Sequence, residues 1–184
     1  MTNQLNENKT EKRQLCLSNC KAEKNRGGKT SLTMIDISDK PETLREATAS
    51  GTIKLKPETI QLIKKKKIAK GDPLYTSKIA AILAAKRTSS LIPLCHPIPI
   101  TKVEVITTII DDSKVQVTAT VRTKAQTGIE MEALTATATG LLTIWDMVKQ
   151  YEKNAEGQYP TTAIENIHIV KKTKTATSNE AHQE

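Results

Sequence analysis

The sequence predicts an α+β domain in which helices pack on one face of an antiparallel sheet. The strings "ITKVEVITTII" and "KVQVTATVR" both alternate apolar and polar residues, and only the turn-forming residues 111–113 separate them. That pattern indicates a β-hairpin. The string "MEALTATATGLLTIWDMVKQYE" instead carries apolar residues at helical spacing, so a long helix is available to cover the sheet.

The first predicted strand and helix occupy residues 44–65. "LREATASGTIKLK" alternates, with β-branched residues late and Gly51 at a candidate β-bulge. Pro57 stands where a helix begins, so "PETIQLIKK" is predicted to be a short helix. Lys64–Lys67 follow it. A solvated helix end, where the dipole favours cations, explains these lysines, and binding of an anion is the other interpretation.

A second helix and a proline-rich segment come next. Asp72 is a good N-cap and Pro73 a good first helical residue, so "PLYTSKIAAILAAKR" is predicted to be helical. Its inward-facing residues are predicted to be Ile79, Ile82 and Leu83. In "SLIPLCHPIPI" the prolines fix the backbone, and the segment is predicted to be extended rather than helical.

The last string, "TAIENIHIV", alternates as a final strand. The order β-α-α-β-β-α-β is close to the split β-α-β, or ferredoxin-like, plan. The long helix carries two apolar stripes, so it needs cover on more than one side. We therefore expect the domain to assemble as a symmetric oligomer.

The two ends of the chain differ from the middle in composition. Residues 1–30 are polar and charged with almost no apolar periodicity, which is typical of a disordered arm. The end "KKTKTATSNEAHQE" has the same character. We therefore predict a folded domain at 31–172 and a flexible tail at 173–184.

Composition limits the partners that this protein can have. The formal net charge of +8 favours anionic ligands. Aromatic residues make up only 2% of the chain, too few for the stacking surfaces of single-stranded nucleic-acid binders. The odd number of cysteines, the absence of a long apolar run and the polar first 30 residues predict a cytoplasmic protein with reduced thiols and no membrane segment. No metal site is expected, because Cys16 and Cys20 lack further ligands at a suitable spacing.

Three places concentrate reactive groups. The first is Cys95–His96: neighbours on an extended segment point to opposite sides, so Cys95 is interpreted as a small buried residue and His96 as the one that reaches a site. The second is Glu130–Met131–Glu132, where the carboxylates either complement the helix dipole or hold a ligand.

The third place is the pair Asp146 and Lys149, which are neighbours at i, i+3 on the long helix. A surface ion pair is the simplest reading of it. Glu132 and Asp146 share one side of this helix, but fourteen residues separate them by about 21 Å. They must therefore hold different parts of an extended ligand, or another chain must complete the site.

Five strings carry a family resemblance. "KGDPLYTSKIAAILAAKRT", "LIPLCHP", "KVEV", "TGIEMEALTA" and "TIWDMVK" stand in order between Met34 and Val170. They closely resemble the cyclic pyranopterin monophosphate synthases, the C-protein family of molybdenum cofactor biosynthesis. The resemblance implies a lyase that rearranges a cyclised guanosine triphosphate, in which ribose C3′ is bonded to guanine C8, to cyclic pyranopterin monophosphate and diphosphate.

The resemblance also implies an assembly and a set of site residues. It implies a ferredoxin-like homohexamer, a trimer of dimers, with sites between subunits, and no required cofactor apart from Mg2+ that can accompany the triphosphate. The catalytic positions of the family fall on Asp146, Lys149 and Lys70. Its substrate-binding positions fall on Leu94, Cys95, His96, Glu130, Met131 and Glu132.

This sequence departs from the family at its two ends. The 30-residue lead is longer than usual, and a glycine-rich ending is replaced by "KKTKTATSNE". Two other functions remain compatible with the charge and the fold. One is a basic module that binds RNA or a nucleotide without catalysis, although the aromatic platform of such sheets is missing. The other is a structural oligomer whose polar strip pairs across an interface.

Overall fold

A computed structural model describes residues 31–175 of the chain. The arm predicted at 1–30 and residues 176–184 lie outside the described residues. No helix within the described range is long and apolar enough to cross a membrane.

Four strands form one sheet, and every pair of neighbouring strands is antiparallel. The order across the sheet is β2-β3-β1-β4. The predicted α+β class with an antiparallel sheet and helices is therefore confirmed. In chain order the elements are β1 (Thr43–Lys54), α1 (Pro57–Lys64), α2 (Pro73–Lys86), α3 (Thr88–Leu91), β2 (Ile100–Ile109), β3 (Lys114–Ala125), α4 (Glu130–Glu152) and β4 (Ala163–Thr175).

The core lies between the sheet and the helices. Alternate residues of β3 are buried, as its sequence alternation predicts, and β1 largely follows the same alternation except at residues 49–51, which are all buried. Near α1 and the second half of α4 they meet large aliphatic side chains such as Ile60 and Ile144. Near α2 and the first half of α4 the core consists largely of alanines, among them Ala81 and Ala133. Small side chains such as these allow two helices to pack closely.

The inward face of α2 differs from the predicted one. Ile79 and Leu83 are 46% and 47% exposed, so the prediction that they face the core is wrong, and only Ile82 is partly buried. The buried face consists of small residues, including Ser77 and Ala81. The reason is the close approach to Gly140 of α4, where an added Cβ would lie 3.5 Å from both of them. Larger side chains on that face would hold the two helices apart.

The proline-rich segment is not extended throughout. It begins with the helical turn α3 (Thr88–Leu91), and the Cys95 N–H donates to the Ile92 carbonyl at 3.0 Å, which closes a turn. Residues 95–99 then lack regular secondary structure until β2 begins. The prediction of an extended conformation over the whole segment is therefore wrong for its first half.

Strand β4 continues to Thr175, three residues beyond the predicted end of the domain at 172. Its pairing with β1 is irregular around Gly51. The extra residues lie in β4, where Asn166 has a φ of 55°, and an added Cβ on Gly51 would lie 2.8 Å from Ile167. Gly51 therefore marks an irregularity, as predicted, but the bulge itself is in the strand opposite.

Candidate active site

A cavity of about 310 Å³ opens at the beginning of α4. It lies between the first turn of α4, the segment that follows α3 and one edge of the β1–β4 pair. All six residues predicted to bind substrate line it. The lining comprises Arg45, Leu94, Cys95, His96, Ile98, Thr127, Gly128, Glu130, Met131, Glu132 and Lys172. The structure thus brings together residues from distant parts of the sequence, and their role in binding stays a prediction.

His96 is held in a defined orientation. Its Nε2 lies 2.8 Å from the Ile35 carbonyl oxygen, and because a carbonyl only accepts, Nε2 carries the proton. In the neutral ring Nδ1 is then free to accept a hydrogen bond. His96 also borders a second cavity of about 240 Å³, and Glu132 forms part of the same shared wall.

The two carboxyl groups at the start of α4 are in different electrostatic environments. Glu132 is only 4% exposed, and burial raises its pKa, with a further increase from the charge of Glu130. Burial also acts to raise the pKa of Glu130, but the hydrogen bond from the Lys172 ammonium and nearby positive charge outweigh it, so this pKa is lowered. Neighbouring carboxyl groups with opposite pKa shifts suit different roles in acid–base chemistry.

The environment of Cys95 favours the neutral thiol. It is partly buried, and burial raises its pKa, to which the charge of Glu132 adds. A nucleophilic cysteine needs the opposite shift, because the thiolate is the reactive form. This environment argues against a nucleophilic role, but the predicted placement of Cys95 is wrong: it is only partly buried and lines the same cavity as His96, because the chain turns at residues 92–95 instead of running extended.

Two cations of the cavity, Arg45 and Lys172, were not among the residues selected from the sequence. The Arg45 guanidinium donates from Nε to the Ala125 carbonyl and from Nη2 to the Gln126 carbonyl, both at 3.1 Å. Lys172 forms an ion pair with Glu130. Only the pairing of β1 with β4 brings them together. A basic residue in a strand and another in a lysine-rich end carry no local signal of a site.

Asp146, Lys149 and Lys70 form a second group near the other end of α4. The Lys149 Nζ lies 2.8 Å from Asp146 Oδ1, and the Lys70 Nζ lies 2.8 Å from Oδ2. Lys70 also donates to the Asp146 backbone carbonyl at 2.9 Å. The hydrogen bonds from Lys149 and then Lys70 lower the pKa of Asp146 to about 2. The carboxylate in turn raises the pKa of Lys149, so Asp146 is a carboxylate and Lys149 an ammonium near neutral pH.

Comparisons with known proteins show which family this chain belongs to. Residues 34–175 match the model of the MoaC family. A protein of Pyrococcus horikoshii named "Probable cyclic pyranopterin monophosphate synthase" is 56% identical over 145 residues, which cover 79% of this chain and 91% of that protein.

The chain belongs to the MoaC family. A Sulfolobus acidocaldarius relative of the same name is 57% identical over 141 residues, 77% of this chain and 98% of the relative. A Methanothermobacter thermautotrophicus relative, 53% identical over 77% of this chain and 88% of its own length, is named "Probable cyclic pyranopterin monophosphate synthase accessory protein". The predicted family is confirmed.

The family match covers both groups of side chains. Its range of 34–175 contains all nine predicted site residues as well as Arg45 and Lys172. Within this MoaC-family chain, however, the two groups belong to opposite ends of the 23-residue helix α4. Glu132 and Asp146 are about 21 Å apart along it. One chain therefore presents two separate groups of residues, each of them a candidate half-site.

Proposed function

We propose that this chain is a cyclic pyranopterin monophosphate synthase, a phosphorus–oxygen lyase of molybdenum cofactor biosynthesis. Its substrate is the cyclised guanosine triphosphate with ribose C3′ bonded to guanine C8, and its products are cyclic pyranopterin monophosphate and diphosphate. The observation that carries the proposal is the grouping of side chains: one cavity with six predicted substrate-binding residues, and one carboxylate between two ammonium groups. Family membership supports the same reaction.

The ionisation of the second half-site fits the proton transfers that this rearrangement needs. Opening one ring and closing another moves protons more than once, which positioned acids and bases accelerate. Asp146 is a carboxylate and therefore a base, and Lys149 is an ammonium and therefore an acid. His96 and Glu132 hold the ring system of the substrate in the cavity.

The phosphate step needs positive charge. A substrate hydroxyl attacks the α-phosphorus and gives its proton to a base, the bond between the α-phosphorus and the oxygen that bridges to the β-phosphate breaks, and diphosphate leaves with that electron pair. Lys70 is assigned to neutralise the charge that grows on the phosphates. No cofactor of the protein is required in this scheme, and Mg2+ enters only as a companion of the triphosphate.

The subunit fold and the oligomeric assembly are part of the same proposal. We propose a ferredoxin-like subunit in a cytoplasmic homohexamer, a trimer of dimers, in which the Asp146 group of one subunit faces the cavity of another. The strand order β2-β3-β1-β4 supports the fold. The 21 Å between half-sites supports the shared site. Exposed apolar residues on α2 and α4, namely Ile79, Leu83 and Leu142, are suited to subunit contacts.

The activity is tested by adding the cyclised guanosine triphosphate to purified protein and measuring diphosphate together with the fluorescent oxidised pterin. Wild-type protein should release both products, and Asp146→Asn and Lys149→Met should release them about 100-fold more slowly or not at all. Glu104→Gln is a matched control, because Glu104 forms an equally exposed ion pair with Lys102 at 2.8 Å. Binding of substrate without release of diphosphate would refute the lyase assignment.

The shared site is tested by subunit complementation. Asp146→Asn chains lack one half-site and Glu132→Ala chains lack the other. If the halves come from different subunits, randomly mixed and refolded chains should recover about a quarter of wild-type activity, because that share of sites receives two intact halves. No recovery in mixed oligomers of normal size would show that each site is built from a single chain.

A further inference from the structure

Four consecutive lysines, Lys64–Lys67, form a positively charged surface that the proposed mechanism does not use. We name it the lysine loop. All four side chains are exposed, and within residues 31–175 none of them forms an ion pair. Adjacent like charges without counter-charges repel one another, so stability gives no reason for four lysines in a row.

The backbone conformation of the lysine loop is one in which a lysine is unusual. The Lys67 N–H donates to the Leu62 carbonyl at 2.9 Å and the Lys66 N–H to the Ile63 carbonyl at 3.0 Å. This is the Schellman arrangement at the end of α1, with Lys66 in the position that glycine normally occupies. Lys66 has a φ of 55°, a left-handed conformation that costs stability for a residue with a Cβ. The helix dipole favours a cation in the last turn, but it does not explain a lysine at this position.

The lysine loop has a fixed position beside the Asp146 group. Ile63 before it and Ile68 after it are buried in the core. Immediately after the loop, the Ala69 N–H donates to the Tyr151 hydroxyl of α4 at 2.9 Å, and Lys70 contacts Asp146. Lys67 is three residues from Lys70, so their Cα atoms are at most about 11 Å apart. The Debye length is about 8 Å at physiological ionic strength and longer at lower salt, so the loop and Lys70 act together on an anion most strongly at low salt.

We propose that the lysine loop is an anion-capturing surface for the polyphosphate group of the substrate. This inference rests on the proposed function. The loop attracts the triphosphate toward Lys70 and the Asp146 group and raises the rate of productive association. Steering of this kind increases association rates by about tenfold or more at low salt and weakens as salt rises.

The test compares two variants that each lose two positive charges. Lys65→Gln/Lys67→Gln removes charge from the lysine loop, whereas Lys54→Gln/Lys171→Gln removes it from exposed residues of β1 and β4. Dissociation constants for guanosine triphosphate, used as the probe, are measured from 50 to 500 mM NaCl. The kcat/KM for the cyclised substrate is measured in the same buffers.

The loop variant should bind the probe about fivefold more weakly than wild type at the lowest salt and within about twofold at the highest. Its loss of kcat/KM should appear in KM, and the control variant should match wild type. A loop variant with the wild-type dissociation constant and salt dependence would overturn the proposal. So would a control variant that loses as much, since net charge alone would then be the cause. Salt-dependent loss of probe binding in a protein that does not convert the substrate would support the loop and refute only the proposed reaction.

Discussion

Glu132 and Glu130 are predicted to change stability in opposite directions when their charge is removed. Glu132→Gln keeps the shape of the side chain but removes a carboxylate that is 4% exposed and lies among residues 31–175 without an ion-pair partner. Its pKa is raised above the ordinary value of 4.5 by burial, so ionisation destabilises the folded state. Replacing a desolvated, unpaired charge should stabilise the protein by about 1–2 kcal/mol at pH 7.5.

The pH dependence follows from the sign of the shift. Because the folded-state pKa of Glu132 is raised, the protonated form is stabilising below the unfolded value, and this stability is lost as pH rises through the folded-state pKa. The gain from Glu132→Gln should therefore be largest at pH 7.5 and should disappear near pH 4, where the native carboxyl is also neutral.

Glu130→Gln is the matched comparison. The pKa of Glu130 is lowered, so its carboxylate contributes stability above the unfolded value, and this contribution is lost as pH falls through the folded-state pKa. Its ion pair with Lys172 is partly exposed, with the two side chains 25% and 62% accessible, so the loss should be only about 0.5–1 kcal/mol at pH 7.5.

Both effects are measured by urea unfolding at one protein concentration, at pH 7.5 and pH 4. A Glu132→Gln variant that is less stable than wild type at pH 7.5 would refute the reasoning. It would show that in the assembled protein a cation reaches this carboxylate.

Three further predictions concern other parts of the chain. Lys66→Gly should raise the free energy of unfolding by about 1 kcal/mol, because glycine adopts the left-handed conformation without strain; an unchanged urea midpoint would contradict this. Gly51→Ala should lower the free energy of unfolding by about 1–3 kcal/mol, since the new Cβ would meet packed side chains at 2.8 Å. A thermal melt equal to wild type would exclude such tight packing. Asp146→Asn should reduce kcat about 100-fold or more. It should also lower the pKa of Lys149, because the hydrogen bond and the charge that raise this pKa are lost, and the lysine titration can be followed by 15N NMR.

The sequence pattern predicted the sheet well, because the alternation of apolar and polar residues in a strand reflects which of its sides is buried. The hairpin of β2 and β3 needed only two alternating strings and a short turn. The orientation of α2 could not be predicted in the same way, because its apolar residues lie on all sides and the buried face is chosen by how closely a partner helix approaches. Gly140 on α4 permits that approach, and the sequence of α2 itself gives no indication of it.

The sequence alone identified some residues of the candidate site and missed others. Motifs identified the residues of α4 and of the segment around His96, since each is a compact string. Arg45 and Lys172 escaped notice because they become neighbours only through the pairing of the first strand with the last. Long-range pairing of this kind leaves no signature in a single sequence, and a basic residue in a strand is more often simply exposed to solvent.

The charges along α4 separate structural from functional explanations. Glu130 and Glu132 in the first turn complement the positive end of the helix dipole, and Lys149 in the last turn complements the negative end. Helix stability alone therefore accounts for Glu130 and Lys149, but not for Glu132, whose carboxylate is disfavoured by its burial. It does not account for Asp146, whose carboxylate lies toward the end of the helix that disfavours negative charge. Two ammonium groups are needed to hold it there, and one of them, Lys70, comes from a separate loop. A charge that the helix does not favour, and that Lys70 from a second element contacts, is the observation that supports the catalytic role proposed for Asp146.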